Sequence, residues 1–166
     1  MSETWILKTA DGEKFWLQTE PYKGGAGGEY PYKSAYNLLA GVNGHRGMPV
    51  SIKTDAVPGR AGGEINELTR EVRQVYLPLH VRGTDEADME KNFERLRTSF
   101  VPEPEAELWV TNERGRTRVL YCRYQSGFEK ATDDENRGTN WINVPLYVYA
   151  ADPWWYDPPG SEITRN

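Results

Sequence analysis

Apolar side chains recur along residues 84–100 at the spacing of one helix face. They stand four, three and four residues apart, at Met89, Phe93, Leu96 and Phe100. With 3.6 residues per turn, these positions form one stripe. Thr84 is the predicted N-cap, and the acidic residues after it meet the positive end of the helix dipole. Pro102 ends the segment. The pattern predicts a helix at about residues 84–100 whose apolar stripe is buried against β-structure.

Two predicted β-hairpins come from shorter alternating segments. In Thr4–Leu17, two apolar runs flank the turn pair Asp11-Gly12, which is a strong hairpin signal. In the second hairpin, Leu108–Thr111 and Arg116–Tyr124 are joined by a turn at residues 112–115.

Two longer segments alternate apolar and polar residues over about ten positions each. They are Glu71–Arg82 and Trp141–Ala150, and each predicts a strand with one apolar face. Pro78 and Pro145 lie within them. Because proline cannot donate to the ladder, we expect edge strands or bulges there. Together the patterns predict a mainly β (α+β) fold, a β-sandwich or split barrel of antiparallel strands and hairpins with one packed helix.

Glu20–Val50 shows neither period and is rich in Gly, Pro and Tyr. It predicts a long loop, and loops of this length inside a domain are usually functional. A second loop is predicted at Val57–Gly63. Tyrosine is enriched at protein interfaces, so the tyrosines of the long loop are candidate partner contacts: Tyr22, Tyr30, Tyr32 and Tyr36.

The length of 166 residues suits one domain, which we place at residues 1–160 with a polar tail at 161–166 and no second domain. No apolar run approaches the ~20 residues of a membrane span, and the start lacks the pattern of a signal peptide. We therefore expect a soluble protein that is not inserted in a membrane. The single cysteine, Cys122, excludes an internal disulfide framework, which suits a reducing compartment.

Composition bears on partners. The net charge of −5 argues against binding nucleic acid through its phosphates, which needs a basic face. The six Trp and ten Tyr have two open interpretations: rings that contact a partner, or rings that fill the core of a loop-rich β-domain.

No catalytic, cofactor or metal site is predicted. His45, His80 and Cys122 lack the spacing of metal ligands, and neither histidine is placed to activate the thiol. A different signal stands near the end of the chain, where Trp154, Trp155 and Tyr156 lie between prolines. A loop that exposed three such rings would form an apolar surface patch prone to association. We therefore expect the rings either to fold back on the core or to contact a partner.

The second half of the chain resembles the N-terminal domain of siphophage distal tail proteins, the Dit family. The resemblance covers about residues 40–160 and lies in an ordered set of segments. These are GHRGMP, VPGRAGGEINELTREVRQVYLPLHVRG, RLRTSFVPEPEAELWV, ERGRTRVLYCRYQSGFE and VYAADPWWYDP.

The resemblance implies a structural virion protein without catalysis. Members form a hexameric ring that joins the tail tube to the tail-tip hub or baseplate, with a lumen through which DNA passes. The virion's distal tail would be its location, after assembly in the host cytoplasm. Members commonly carry a second, galectin-like domain that is not expected here. We further expect the long loop and the strands with Pro78 and Pro145 to make subunit contacts.

Two alternatives remain. A tail-tube subunit shares a ring-forming β-fold with a helix. A small carbohydrate-binding β-module would instead use Trp154, Trp155 and Tyr156 as a stacking platform, and would expose those rings on a monomer.

Overall fold

The alternating segments form strands, and the 3.6-residue pattern forms a helix. In the computed structural model, the described residues are 3–19, 34–56, 58–59, 61–132, 135 and 137–159. The elements are β1 Thr4–Lys8, β2 Lys14–Leu17, β3 Tyr36–Leu38, β4 Val50–Ala56, β5 Gly63–Arg70, β6 Arg73–Arg82, α1 Glu86–Ser99, β7 Ala106–Thr111, β8 Thr117–Ser126, a 3₁₀ helix Phe128–Thr132 and β9 Trp141–Ala150.

Seven strands form one sheet in the order β2-β1-β7-β8-β9-β6-β3. All of its strand pairs are antiparallel. Its two outer strands meet at a parallel bridge, where the Gln18 amide donates to Tyr36 O (3.0 Å) and the Leu38 amide donates to Gln18 O (2.7 Å). These bonds close the sheet into a barrel. The predicted mainly β fold with one helix is confirmed, and so are both predicted hairpins.

The apolar face of each strand lines the inside of this barrel. Between β6 and β9 the register places Val75 opposite Val148 and Leu77 opposite Leu146, and all four are completely buried. Trp5 and Phe15, from the first hairpin, are among the largest fully buried side chains of the described residues. The alternation in the sequence is therefore the alternation between barrel interior and outer surface.

The α1 helix packs against the barrel, next to β6 and β9. Its stripe is buried as predicted, from Met89 to the C-cap residue Phe100. The N-cap, however, is Asp85 and not Thr84: the Asp85 side chain accepts a hydrogen bond from the Asp88 amide (2.8 Å). The Asp88 carboxylate in turn accepts one from the Thr84 amide (2.9 Å). Thr84 therefore precedes the helix and is held by it, in a reciprocal arrangement of the capping-box type.

Pro78 and Pro145 do not mark edge strands, which corrects that half of the prediction; the alternative, a bulge, is met only beside Pro145, where the β8–β9 register shifts between Tyr124 and Ser126. They lie opposite each other where β6 pairs with β9, and both strands have neighbours on either side. The Leu39 amide, just past the end of β3, donates to Pro78 O (2.8 Å). The last pair between β8 and β9 joins Ser126 to Tyr147. The nitrogen of each proline thus points toward a neighbouring strand, β3 or β8, at a position where that strand is no longer paired. No backbone N–H donor is needed there.

The predicted loop at Glu20–Val50 is interrupted by a short strand, and its last residue already belongs to the next strand. Residues 20–33 lie outside the described part of the chain, but Tyr36–Leu38 is a strand of the barrel. β4 begins at Val50. Three residues are too short a segment to show a period of two, so this strand was hidden in the sequence.

Candidate interaction surfaces

β4 and β5 form a two-stranded antiparallel ribbon that is separate from the barrel sheet. Its register shifts by one residue between Lys53 and Thr54. With this bulge, one face carries four large aliphatic side chains: Val50, Ile52, Ile65 and Leu68. They are between 47% and 62% exposed. We call this the apolar face of the ribbon.

The opposite face of the ribbon is polar. Lys53 and Glu67 lie directly opposite each other and form an ion pair (2.6 Å). Asp55 lies directly opposite Glu64, a like-charge pair that destabilises the free ribbon. The Asn66 side chain hydrogen-bonds to Asp55. The ribbon is thus amphipathic, although neither of its faces is covered.

Sequence analysis missed this ribbon. It assigned Val57–Gly63 to a loop but identified no strands on either side of it. The signal was present in VSIKTDA, which places apolar residues at alternate positions, but in GEINELTR the apolar Ile65 and Leu68 stand three positions apart. Their many charged and small residues resemble those of a loop, and the bulge interrupts the period in the second segment.

Two arginines fix the base of the ribbon. The Arg70 guanidinium lies over the Trp154 ring, 5.1 Å from its centroid, a cation–π contact. Arg73 is only 3% exposed. It donates to Pro153 O (2.8 Å) and Gly44 O (2.7 Å), and burial lowers the pKa of its guanidinium. Arg73 therefore ties the C-terminal segment to the loop after β3, next to the start of the ribbon.

The three aromatic residues near the C-terminus have different surroundings. Trp155 packs against the core and its indole N–H donates to His45 O (3.0 Å). Trp154 and Tyr156 are 45% and 41% exposed. Tyr156 forms a backbone bridge to Val119 along the edge of β8 that faces away from β7, with N···O distances of 2.9 and 2.8 Å. One ring therefore folds back, and two remain on the surface.

The candidate tyrosines of the long loop are also divided. Tyr22, Tyr30 and Tyr32 lie outside the described residues. Tyr36 is 5% exposed, and its hydroxyl donates to Asn92 O on α1 (3.0 Å). Burial raises its pKa to about 12. Tyr36 is thus a core residue that joins β3 to the helix, so we do not retain it as a partner contact.

An aromatic row crosses the outer surface of β2, β1 and β7. The register aligns Trp16 with Ile6 and Ile6 with Trp109, and all three side chains point away from the core because their neighbours Trp5, Phe15 and Leu108 point into it. Trp16 is 54% exposed, and the other two are half-buried. We call these three residues the aromatic row.

A cleft with a volume of about 1000 Å³ lies beside β3 and β6. His80 and Trp141 stack at its wall, with ring centroids 5.4 Å apart. Asn37 also lines the cleft. It is 6% exposed, and its amide atoms have no hydrogen-bond partner in the described chain. This cleft therefore combines an aromatic wall with a buried amide that is not satisfied within the subunit.

His80 predicts a pH dependence of stability. Burial lowers its pKa below the ordinary value, and a hydrogen bond to Asn143 only partly opposes this. The unfolded chain then binds more protons than the folded one below about pH 6.5, so the free energy of unfolding falls as the pH falls. When urea unfolding is measured at pH 7.5 and pH 5.5, the decrease in the free energy of unfolding between the two should be smaller for His80→Gln than for the wild type.

The control for this measurement lies in the other titrating groups. Burial also lowers the pKa of His45. The stability of His80→Gln should therefore still depend on pH, and this dependence should decrease again when His45→Gln is added. Carboxylates with lowered pKa, such as Glu129, lose their contribution only at more acidic pH. Equal pH dependence in the wild type and His80→Gln would contradict this assignment.

The described residues offer little reactive chemistry. They contain no group of three His, Cys, Asp or Glu side chains that could hold a metal ion. Cys122 is buried inside the barrel, and burial raises its pKa to about 12, so it is not an activated thiol. Within the same residues, no helix has the length and apolar character needed to cross a membrane.

Comparisons with known proteins show a likeness in structure. No protein-family model matches the sequence, and a search of curated proteins finds no significant match. The chain is similar in structure to the Dit protein (gp 19.1) of SPP1, which is described as a paradigm of hub adsorption apparatus in phages that infect Gram-positive bacteria. The TM-score is 0.62 at 18% sequence identity.

The match covers 93% of this chain and 52% of the SPP1 protein, so this chain spans about half the length of that protein. The predicted resemblance to Dit proteins is thereby confirmed at the level of the fold. The barrel, its helix and nearly all of the chain share the fold of a phage tail protein.

Proposed function

We propose that this chain is a distal tail subunit of a siphophage. In this role it is a structural protein without catalysis, located at the distal end of the virion's tail after assembly in the host cytoplasm. The observation that carries the proposal is the similarity to SPP1 Dit across 93% of the chain. The ordered sequence segments that resemble the Dit family support it independently.

In this proposal, six copies form a ring around a lumen. The ring joins the tail-tube protein to the tail-tip hub or baseplate, and DNA passes through without specific binding. The exposed apolar face of the ribbon supports self-association, because an uncovered row of aliphatic side chains marks a protein–protein contact. The net charge of −5 fits a lumen that repels the DNA backbone.

The test is the mass of the purified chain in solution, followed by negative-stain imaging of the main peak. Closed rings of about six subunits with a central hole are expected. Open tubes of stacked rings would instead identify a tail-tube subunit. A chain that stays monomeric at the highest concentration would contradict ring formation by this chain.

A second candidate is a carbohydrate-binding module, and one observation favours it. Trp154 and Tyr156 expose their rings on the single subunit, as a stacking platform for sugars requires. Trp155 does not, because it packs against the core. A glycan array compares the two functions: binding that is lost in Trp154→Ala and kept in Trp16→Ala would favour the module.

A further inference from the structure

We propose that one end of the barrel is a binding site for an oxyanion ligand with two negative charges, such as a phosphate group or a pair of carboxylates. The site is a cleft of about 630 Å³, a volume typical of small-molecule sites. Four arginines line it: Arg46, Arg73, Arg116 and Arg118. We call it the arginine cleft. The inference goes beyond the proposed function and does not depend on ring formation.

The strand register turns two of these arginines toward the inside of the barrel. Arg73 follows the alternation of β6, so it points inward like Val75. Arg118 on β8 lies opposite Val110 on β7, and Val110 lies opposite the core residue Trp5 on β1. Because paired residues point to the same face of a sheet, Arg118 also points inward. Two positive charges therefore stand at positions where the alternation otherwise places apolar side chains.

Arg73 is a buried cation without a counter-ion. Its two hydrogen bonds go to backbone carbonyls, from Nε to Pro153 O and from Nη1 to Gly44 O. No carboxylate among the residues that the structure describes pairs with it, and burial alone lowers its pKa. An unpaired buried charge is costly. Nη2 makes no hydrogen bond within the same residues, so a bound anion would supply both the missing charge and a missing acceptor.

His45, which also lines the cleft, adds a second donor without an acceptor. The Arg46 Nε–H donates to His45 Nε2 (3.0 Å), so the neutral imidazole carries its proton on Nδ1. Nδ1 is buried and has no hydrogen-bond partner in the described part of the chain. The cleft therefore lacks acceptors and not donors, which is the imbalance that an anionic ligand would correct.

The charge of the cleft is opposite in sign to that of the whole chain. Two carboxylates, Glu3 and Asp157, line it beside the four arginines, so its formal charge is +2 whereas the chain carries −5. Both carboxylates are already engaged, in ion pairs of 3.5 and 3.6 Å with the other two arginines. The inward-pointing Arg73 and Arg118 form no ion pair within the described ranges. Two negative charges on a ligand would balance them.

Binding of two small probes to the full chain tests the site. Inorganic phosphate and succinate are titrated separately at mildly alkaline pH, where both carry two negative charges, and sodium chloride keeps the ionic strength constant so that screening does not change. The melting temperature should rise saturably with at least one probe, because a ligand that binds only the folded chain stabilises it. The probe that binds more tightly shows whether the site prefers a phosphate group or carboxylates.

Two arginines of β8 supply matched variants. Both Arg118 and Arg123 are exposed, but Arg123 lies outside the cleft and pairs with Glu103 (3.2 Å). Arg118→Gln should raise the dissociation constant of the bound probe by about tenfold or more, since it removes a charge-assisted hydrogen bond. Arg123→Gln should change it by less than about twofold, because exposed ion pairs contribute little. Circular dichroism checks that both variants keep the barrel.

The outcomes are independent of the proposed function. Saturable binding that is weakened in Arg118→Gln and kept in Arg123→Gln supports the arginine cleft as an oxyanion site. A wild-type chain that binds neither probe saturably, or equal binding by the two variants, overturns it and leaves the ring standing. A chain that forms no ring but binds a probe through Arg118 contradicts the proposed function alone.

Discussion

Replacing Leu96 by alanine should lower the free energy of unfolding by about 2–5 kcal/mol, the range found when a buried leucine is truncated to alanine. Leu96 is completely buried and lies on the α1 face that packs against the barrel. Its loss removes apolar contacts and leaves a cavity against the core. Urea unfolding followed by circular dichroism measures the change.

The neighbouring residue supplies the matched control for Leu96. Arg97 is exposed and pairs with Glu94 one turn earlier (2.8 Å), and such a fully exposed pair, screened by water, contributes little to stability. Arg97→Ala should therefore be close to neutral, although it changes the same helix. Equal effects of the two substitutions would show that the helix does not pack on the barrel as described.

Replacing Gly127 by alanine should also destabilise the protein strongly. Gly127 has φ +129°, and a Cβ there would lie 2.2 Å from Pro145 O, a backbone atom that cannot move aside without shifting β9. Left-handed strain of about 1–2 kcal/mol and overpacking of about 1–3 kcal/mol add to a loss of about 2–5 kcal/mol. Thermal and urea unfolding both report it.

Gly115 separates the two causes of that loss. It also has a positive φ, +76°, but a Cβ there meets nothing within 4 Å. Gly115→Ala should cost only the backbone strain, about 1–2 kcal/mol. If Gly115→Ala were as damaging as Gly127→Ala, the close approach of Gly127 to β9 would be contradicted.

The barrel and the ribbon differ in what stabilises them. The barrel buries the apolar face of each of its long strands inside one chain, so it needs no partner to form a core. The ribbon has the same alternation but no second layer to cover it.

Several elements could be predicted because their information is local. The stripe from Met89 to Phe100 repeats over about three turns, and the strand Trp141–Ala150 alternates without interruption, so each specifies its buried face. The N-cap was misplaced by one residue, since Thr84 and Asp85 are both good caps. Only the backbone at Asp85 (φ −143°, ψ −176°) and the return contact from Asp88 decide between them.

Tertiary structure decided the role of the prolines and of Tyr36. A proline excludes a donor but says nothing about where the neighbouring strand ends, and here β3 and β8 stop short of Pro78 and Pro145. Tyr36 lies in a segment rich in loop residues, yet it packs on Phe15 with ring centroids 5.0 Å apart. These facts depend on residues 19 or more positions away in the chain.

Local patterns were enough to predict the β-rich class, the helix, the two hairpins and the buried face of each long strand, because a period of 2 or 3.6 is contained in consecutive residues. Which strands are neighbours, how the sheet closes through Gln18, and that the ribbon and Trp16 are exposed on one subunit follow from the folded chain alone. A row such as Trp16, Ile6 and Trp109 is assembled by register between distant strands, and no local pattern records it.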